Sequence, residues 1–150
     1  MFSLFKKKEF FSQEEKEKII AAIRHAEECT SGEVRVFVES RCRFIDPLDR
    51  AMEIFSELKM KNTKDRNAVL VYVAIKDRQL AIYGDSGINV KTGEQYWKDE
   101  VNKMISEFNQ QHYADGIAHC VEDIGQALQT YFPYNRETDK NELPDEIIFG

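Results

Sequence analysis

At 150 residues the chain has the length of one domain, enough for a single core to bury most of its apolar surface without disulfide or metal support. A hydrophobic fraction of 42% with 10 Phe and 6 Tyr excludes a disordered chain, while a net charge of −6 and a pI near 5.2 set nucleic acid aside as a partner. Cys29, Cys42 and Cys120 are an odd set with no C-x-x-C spacing, so neither a zinc site nor a disulfide framework is signalled, and reduced thiols in a cytoplasm are expected.

The N-terminal segment, residues 1–12, places Phe2, Phe5, Phe10 and Phe11 around Lys6, Lys7 and Lys8. Its apolar start is too short for a signal-peptide core, and no later run has the length of a transmembrane segment. Two readings fit it: contact with an anionic membrane surface, or an ordinary packed or disordered terminus. Ser12 followed by Glu15 then fits a capping box, and Ile19, Ile20, Ile23 and Ala26 recur at helical spacing up to about Cys29. Val34, Val36 and Val38 alternate with Arg35, Phe37 and Glu39, which predicts a strand with one apolar and one mixed face, covered more on one side than the other.

After Asp46-Pro47, the series Leu48, Ala51, Met52, Phe55 and Leu58 predicts a crossover helix of about three turns. Ala68 to Ile75 is continuously apolar, as a central strand covered on both faces should be. The interruption Lys76-Asp77-Arg78 is too short for a crossover, so Leu80 to Tyr83 returns antiparallel, and a loop is expected from Gly84 to Gly93. Trp97, Val101, Met104, Ile105 and Phe108 predict one closing helix, and Ile117, Cys120, Val121, Ile124 and Leu128 a second. Residues 13–133 then make one domain, and 134–150 a polar tail expected to be mostly disordered, its Ile147-Ile148-Phe149 able to dock on a domain or partner. The fold class is α/β, a three-layer α/β/α sandwich with a short mixed sheet.

Several segments together resemble one family. They are Ala26-Glu27, Thr30-Ser31-Gly32-Glu33-Val34-Arg35-Val36, Thr63 with Arg66-Asn67-Ala68-Val69-Leu70-Val71-Tyr72-Val73-Ala74, Asp77-Arg78 with Ala81-Ile82-Tyr83-Gly84-Asp85 and Gly87, and Tyr113-Ala114-Asp115-Gly116-Ile117 with Tyr131-Phe132-Pro133. In order and spacing they are similar to the TPM domain, a family that includes a plant thylakoid-lumen protein implicated in photosystem II repair, a nematode receptor auxiliary protein and many bacterial proteins. The resemblance implies an α/β/α sandwich, acid-phosphatase activity as in some members, and calcium or magnesium binding as in others. Fold alone does not carry the activity.

If the first two strands run parallel and the third returns, the loops holding Glu33, Asp65 and Asp85 meet at one end of the sheet. Hard divalent cations take oxygen ligands of this kind, so Glu33, Asp65 and Asp85 are the candidate metal ligands for Ca²⁺ or Mg²⁺. Equally, Ser31, Asp65 and Asp85 are good turn or cap residues and Glu33 a good solvated charge. Arg66 is the candidate anion-binding residue, since its planar fork matches two phosphate oxygens, although it could instead pair Asp65 or Glu33. No catalytic residue is assigned: neither an Asp-x-Asp nucleophile nor a Cys-x5-Arg loop is present.

Other motifs are weaker. Gly84-Asp85-Ser86-Gly87 and Ala118-His119-Cys120 copy protease peptides in reversed order on the wrong fold class. The segment from Asp85 to Tyr96 lacks the ligands of an EF-hand, and His112 and His119 have no third partner at zinc spacing. Asp77 and Arg78 suit a hairpin turn at the far end of the sheet, the end where ligands usually bind parallel strands. The leading expectation is a cytoplasmic domain that binds a divalent cation and has weak acid phosphatase activity toward a phosphomonoester. The alternative is a non-catalytic module that binds another protein.

Overall fold

A computed structural model describes residues 10–134 and 146–150. Helix α1 (Gln13–Glu28) begins at the expected capping box: Ser12 Oγ accepts from the Glu15 amide at 3.1 Å, and the Glu15 carboxylate accepts from the Ser12 amide at 2.8 Å. Strand β1 (Glu33–Glu39) follows, then helix α2 (Pro47–Glu57), where the Asp46 side chain accepts from the Leu48 amide and Pro47 fills the first turn. Strands β2 (Ala68–Ala74) and β3 (Gln79–Gly84) form the hairpin. Helices α3 (Ser86–Thr92), α4 (Glu94–Asn109) and α5 (Tyr113–Tyr131) and strand β4 (Ile147–Phe149) complete the chain.

The sheet has the order β3-β2-β1-β4. Strand β1 runs parallel to β2 from Glu33 opposite Ala68 to Glu39 opposite Ala74, and β3 runs antiparallel to β2 with Gly84 opposite Val69. Strand alternation divides the side chains between two cores. Val34, Val36, Val38, Val69, Val71, Val73, Leu80 and Ile82 face α1, α4 and α5, whereas Phe37, Leu70, Tyr72 and Ala81 face α2 with its Ala51, Ile54 and Phe55. Helices thus cover both faces of a mixed sheet, the α/β architecture expected, and β2 is the central, doubly buried strand.

Two details differ from the expectations. Strand β1 is buried on both faces, where more cover on one side was expected: its valines enter the larger core and Phe37 joins Ala51, Ile54 and Phe55 in the smaller one. The stretch expected to be a loop from Gly84 to Gly93 holds α3, a helix of two turns with Ile88 as its one buried anchor, too short to leave a periodic signature. Helix α5 starts at Tyr113, so Asp115 lies inside its first turn, where it pairs with Lys18 at 2.5 Å. The terminal Ile147 to Phe149 do dock on the domain, as a strand added to β1, while residues 135–145 of the expected tail lie outside the described residues. The membrane-contact reading of the N-terminus also falls largely outside them, except that Phe11 is buried in the larger core and Phe10 packs against it.

Candidate functional site

The strand directions bring the three loops to one end of the sheet. Glu33 opens β1, Asn67 precedes β2 and Asp85 follows β3, and backbone hydrogen bonds stitch the ends together: the Glu33 amide to the Asn67 carbonyl at 3.5 Å and the Asp85 amide to the Ala68 carbonyl at 2.9 Å. The Asn67 side chain donates to Ser31 Oγ at 3.2 Å, tying the first loop to the second. Gly87, in the first turn of α3, donates its amide to the Arg66 carbonyl at 2.8 Å.

Within this cluster one pair dominates. Arg66 donates Nε to Asp85 Oδ2 at 2.7 Å and Nη2 to Asp85 Oδ1 at 2.8 Å, a two-pronged pairing that raises the arginine pKa, chiefly through these hydrogen bonds. Asp85 also caps α3 by accepting from the Ser86 amide at 2.7 Å. Its carboxylate is only 1% exposed, whereas the Arg66 side chain is 49% exposed, so the counter-charge is a lid on a buried anion. Arg66 sits at φ 51°, a left-handed conformation costly for a residue with a Cβ, which aims it across the loop end.

The fork of Arg66 is therefore spent on Asp85, and neither Asp65 nor Glu33 is its partner. The Asp65 side chain is exposed, and its backbone carbonyl, not its carboxylate, packs on Gly87. Glu33 is buried at the start of β1, on the face toward α2. Among the described residues no three His, Cys, Asp or Glu side chains are grouped to hold a metal ion. What the loop end does offer is two buried carboxylates, Glu33 and Asp85, the exposed Asp65, and the carbonyls of residues 65 and 66.

The sequence pattern of the TPM domain matches residues 4–127, most of the chain. The chain belongs to the TPM domain family. This TPM domain is similar to the BA42 protein from the psychrophilic bacterium Bizionia argentinensis, whose NMR structure superposes with a TM-score of 0.87 at 43% identity, over 97% of this chain and 99% of that one. It also shares its fold with the N-terminal domain of the cg2496 protein from Corynebacterium glutamicum, with a TM-score of 0.63 at 17% identity over 79% of this chain and 74% of that one. No curated protein is significantly similar to it. No helix among the described residues is long and apolar enough to cross a membrane.

Two polar clusters of the TPM domain lie away from the loop end and were not singled out from sequence. At the opposite end of the sheet Arg50 donates Nε and Nη2 to the Glu39 carboxylate at 2.9 and 3.1 Å, and the Tyr72 hydroxyl donates to the same carboxylate. Burial works against the Glu39 charge, but the Arg50 and Tyr72 hydrogen bonds outweigh it and hold the carboxyl below its ordinary pKa; burial and Glu39 together push the Tyr72 phenol up. A tyrosine in a doubly covered strand needs a partner for its hydroxyl, and that was the available signal. Tyr72→Phe should therefore cost about 1.5–3 kcal/mol, the worth of one buried hydrogen bond to a charged group, read as a shift in urea midpoint with unchanged slope. Asp77 at this end accepts from the Cys42 amide at 2.8 Å and from Arg41 at 3.0 Å, so it ties the hairpin turn to the loop after β1 rather than bonding within its own turn.

The second cluster lines a groove of about 260 Å³ between α4 and α5. Glu100, 3% exposed, has one oxygen without a hydrogen-bond partner among the described residues, and the other accepts from Lys103 Nζ at 3.1 Å. Lys103 reaches Asp123 as well, at 3.4 Å. Burial, with Asp123 adding to it against the pull of Lys103, pushes the Glu100 carboxyl up to about 7. Glu100 falls three residues after Trp97 and four before Met104, on the buried stripe of α4, so its burial was legible in the helical period.

Proposed function

We propose that this TPM domain binds a hard divalent cation, Ca²⁺ or Mg²⁺, at the loop end through Glu33, Asp65 and Asp85, and that a phosphomonoester is hydrolysed weakly there. The observation that carries this reading is the buried Asp85 carboxylate neutralised by a half-exposed arginine. A counter-charge held on a surface loop can be exchanged for a cation without stranding a buried anion, since Arg66 would swing into water while the incoming ion takes its place. Calcium accepts carbonyl and water ligands beside carboxylates, which suits a site with few grouped side chains. Released from Asp85, the Arg66 fork becomes free to grip two oxygens of a phosphate. A bound cation would supply neutralisation of phosphate charge and a more acidic water. Cys29, Cys42 and Cys120, all unpaired thiols, fit work in a reducing cytoplasm.

The grouping of fewer than three ligating side chains among the described residues favours the second reading, a non-catalytic module that binds another protein. The two separate in one experiment. Calorimetric titration of the metal-free protein with Ca²⁺ and Mg²⁺, run beside hydrolysis of p-nitrophenyl phosphate, is repeated for Asp85→Asn and Arg66→Ala. The proposal expects Asp85→Asn to weaken cation binding about tenfold or more, the loss of one charged ligand, and Arg66→Ala to tighten it while abolishing turnover. Cation binding with no turnover in the wild type supports the module, and equal weakening by both substitutions shows the pair to be purely structural.

A further inference from the structure

The groove between α4 and α5 holds an acid that its neighbours leave half satisfied. Trp97, Glu100, Met104 and Phe108 form the buried stripe of α4, and Glu100 is its one charged member, only 3% exposed. A carboxylate withdrawn from water needs partners for both oxygens. Oε2 accepts from Lys103 Nζ at 3.1 Å, whereas Oε1 has no hydrogen-bond partner among the described residues. Lys103 stands one turn further along the same helix and leans outward: its side chain is 67% exposed, and its ammonium reaches Asp123 on α5 at 3.4 Å. With both acids ionised, two carboxylates share one lysine. The other groups of the groove do not balance them. Burial keeps the Cys120 thiol and the Tyr96 phenol protonated, Tyr96 donates its hydroxyl to the Asp123 carbonyl at 3.1 Å, and His119 is taken up by Glu107 at 2.9 Å.

Open space adjoins these groups. Hollows of about 260 and 370 Å³ lie along the groove, and both are bordered by Glu100, Lys103 and Asp123; the larger is also bordered by Tyr96, Ala127 and Tyr131. We propose that the groove binds a small organic cation with a primary ammonium group, seated between Glu100 and Asp123 in place of Lys103 Nζ, its carbon chain running along Tyr96, Ala127 and Tyr131. Lys103 shows what the seat takes: a compact charge with three N–H donors. Its side chain is held from the solvent side and swings into water at little cost, and a ligand not tethered to α4 brings donors to Glu100 Oε1 as well as Oε2. An aliphatic chain gains from the aromatic and apolar wall, which a bare metal ion would leave unused. A proton competes for the same place, because burial pushes the Glu100 carboxyl up to about 7 and its protonated form hydrogen-bonds to Asp123. The site shares no residue with the loop end and does not rest on the cation proposed there.

The test uses the full chain, titrated with n-butylammonium and with putrescine and followed by residue-resolved NMR at pH 8 in physiological salt, with K⁺ and Mg²⁺ as parallel titrations. Both amines should give saturable shifts at residues 96–107 and 119–131 and none at 31–33, 64–67 and 84–89. Glu100→Gln and Asp123→Asn should each weaken the binding of n-butylammonium about tenfold or more, and Lys103→Ala should tighten it severalfold by vacating the seat. Lowering the pH to 5.5 should weaken wild-type binding about tenfold or more and leave the residual binding of Glu100→Gln unchanged. Shifts that spread over the surface without saturating would overturn the proposal, as would an affinity insensitive to Glu100→Gln or weakened by Lys103→Ala. Groove shifts as strong with K⁺ or Mg²⁺ would overturn the choice of an ammonium ligand. Should one acid variant fail to fold, the other and the wild-type pH dependence decide.

Discussion

Gly87→Ala should lose about 3 kcal/mol of stability or more, a large part of the roughly 5–15 kcal/mol by which domains of this size are folded. A Cβ at this position would overlap the Asp65 carbonyl oxygen and sit 2.6 Å from that of Arg66. Both are backbone atoms, so no rotamer change gives relief; the loop before β2 must move off α3. Moving it breaks the hydrogen bond from the Gly87 amide to the Arg66 carbonyl and draws Arg66 away from Asp85. Gly93 makes the contrast: at φ 81° and ψ 161°, a region essentially reserved for glycine, it has nothing within 4 Å of an added Cβ, so Gly93→Ala should cost only the strain of that conformation, about 1–3 kcal/mol. Urea unfolding of the two variants measures the difference. A Gly87→Ala protein within about 1 kcal/mol of wild type would mean that the close approach of loop and helix is not maintained.

Glu100→Gln should stabilise the domain by about 2–3 kcal/mol at pH 8 and leave it nearly unchanged at pH 4. The sign follows from the direction of the shift. The Glu100 carboxyl titrates near 4.5 in an unfolded chain and is pushed up to about 7 in the fold, by burial first and by Asp123 next. Below pH 4.5 both states hold the proton and nothing is lost. As pH rises toward 7 the unfolded chain releases its proton while the folded one keeps it, so stability falls across that window and stays low above it. Glutamine copies the neutral acid and removes the slope. Lys103, Asp123, the Cys120 thiol and Tyr96 surround the group, and unfolding curves between pH 4 and 9 for wild type and variant would isolate its share. A variant with the same slope as wild type would show that Glu100 is not the group responsible.

Much of the fold could be read from local pattern. The Ser12–Glu15 box marks a helix start because its chemistry is complete within four residues, and the unbroken apolar run of β2 marks a central strand because both its faces are buried. The up, up, down course of β1, β2 and β3 followed from one crossover and one tight turn, and it gathered the loops of Glu33, Asp65 and Asp85 at a common end. Partner choice was not legible in the same way. Arg66 stood near three acids in the inferred cluster, and only the register of β3 against β2 decides that Asp85 receives its fork. Strand β4 is three apolar residues after a polar stretch, below the length at which period can be judged, and its pairing with β1 is a contact across more than a hundred residues. Glu100 shows the opposite failure: its position on the α4 stripe announced burial, yet a charged residue there is easily passed over as solvated.

Residue-resolved NMR titration of the metal-free protein with Ca²⁺ and then Mg²⁺ tests the loop-end site most directly. The account predicts saturable shifts confined to residues 31–33, 64–67 and 84–89, with the Arg66 side-chain Nε–H signal released from its Asp85 position as the cation binds. Shifts centred instead on residues 40–46 and 76–78 at the opposite end of the sheet, or no saturable shifts at all, would contradict it.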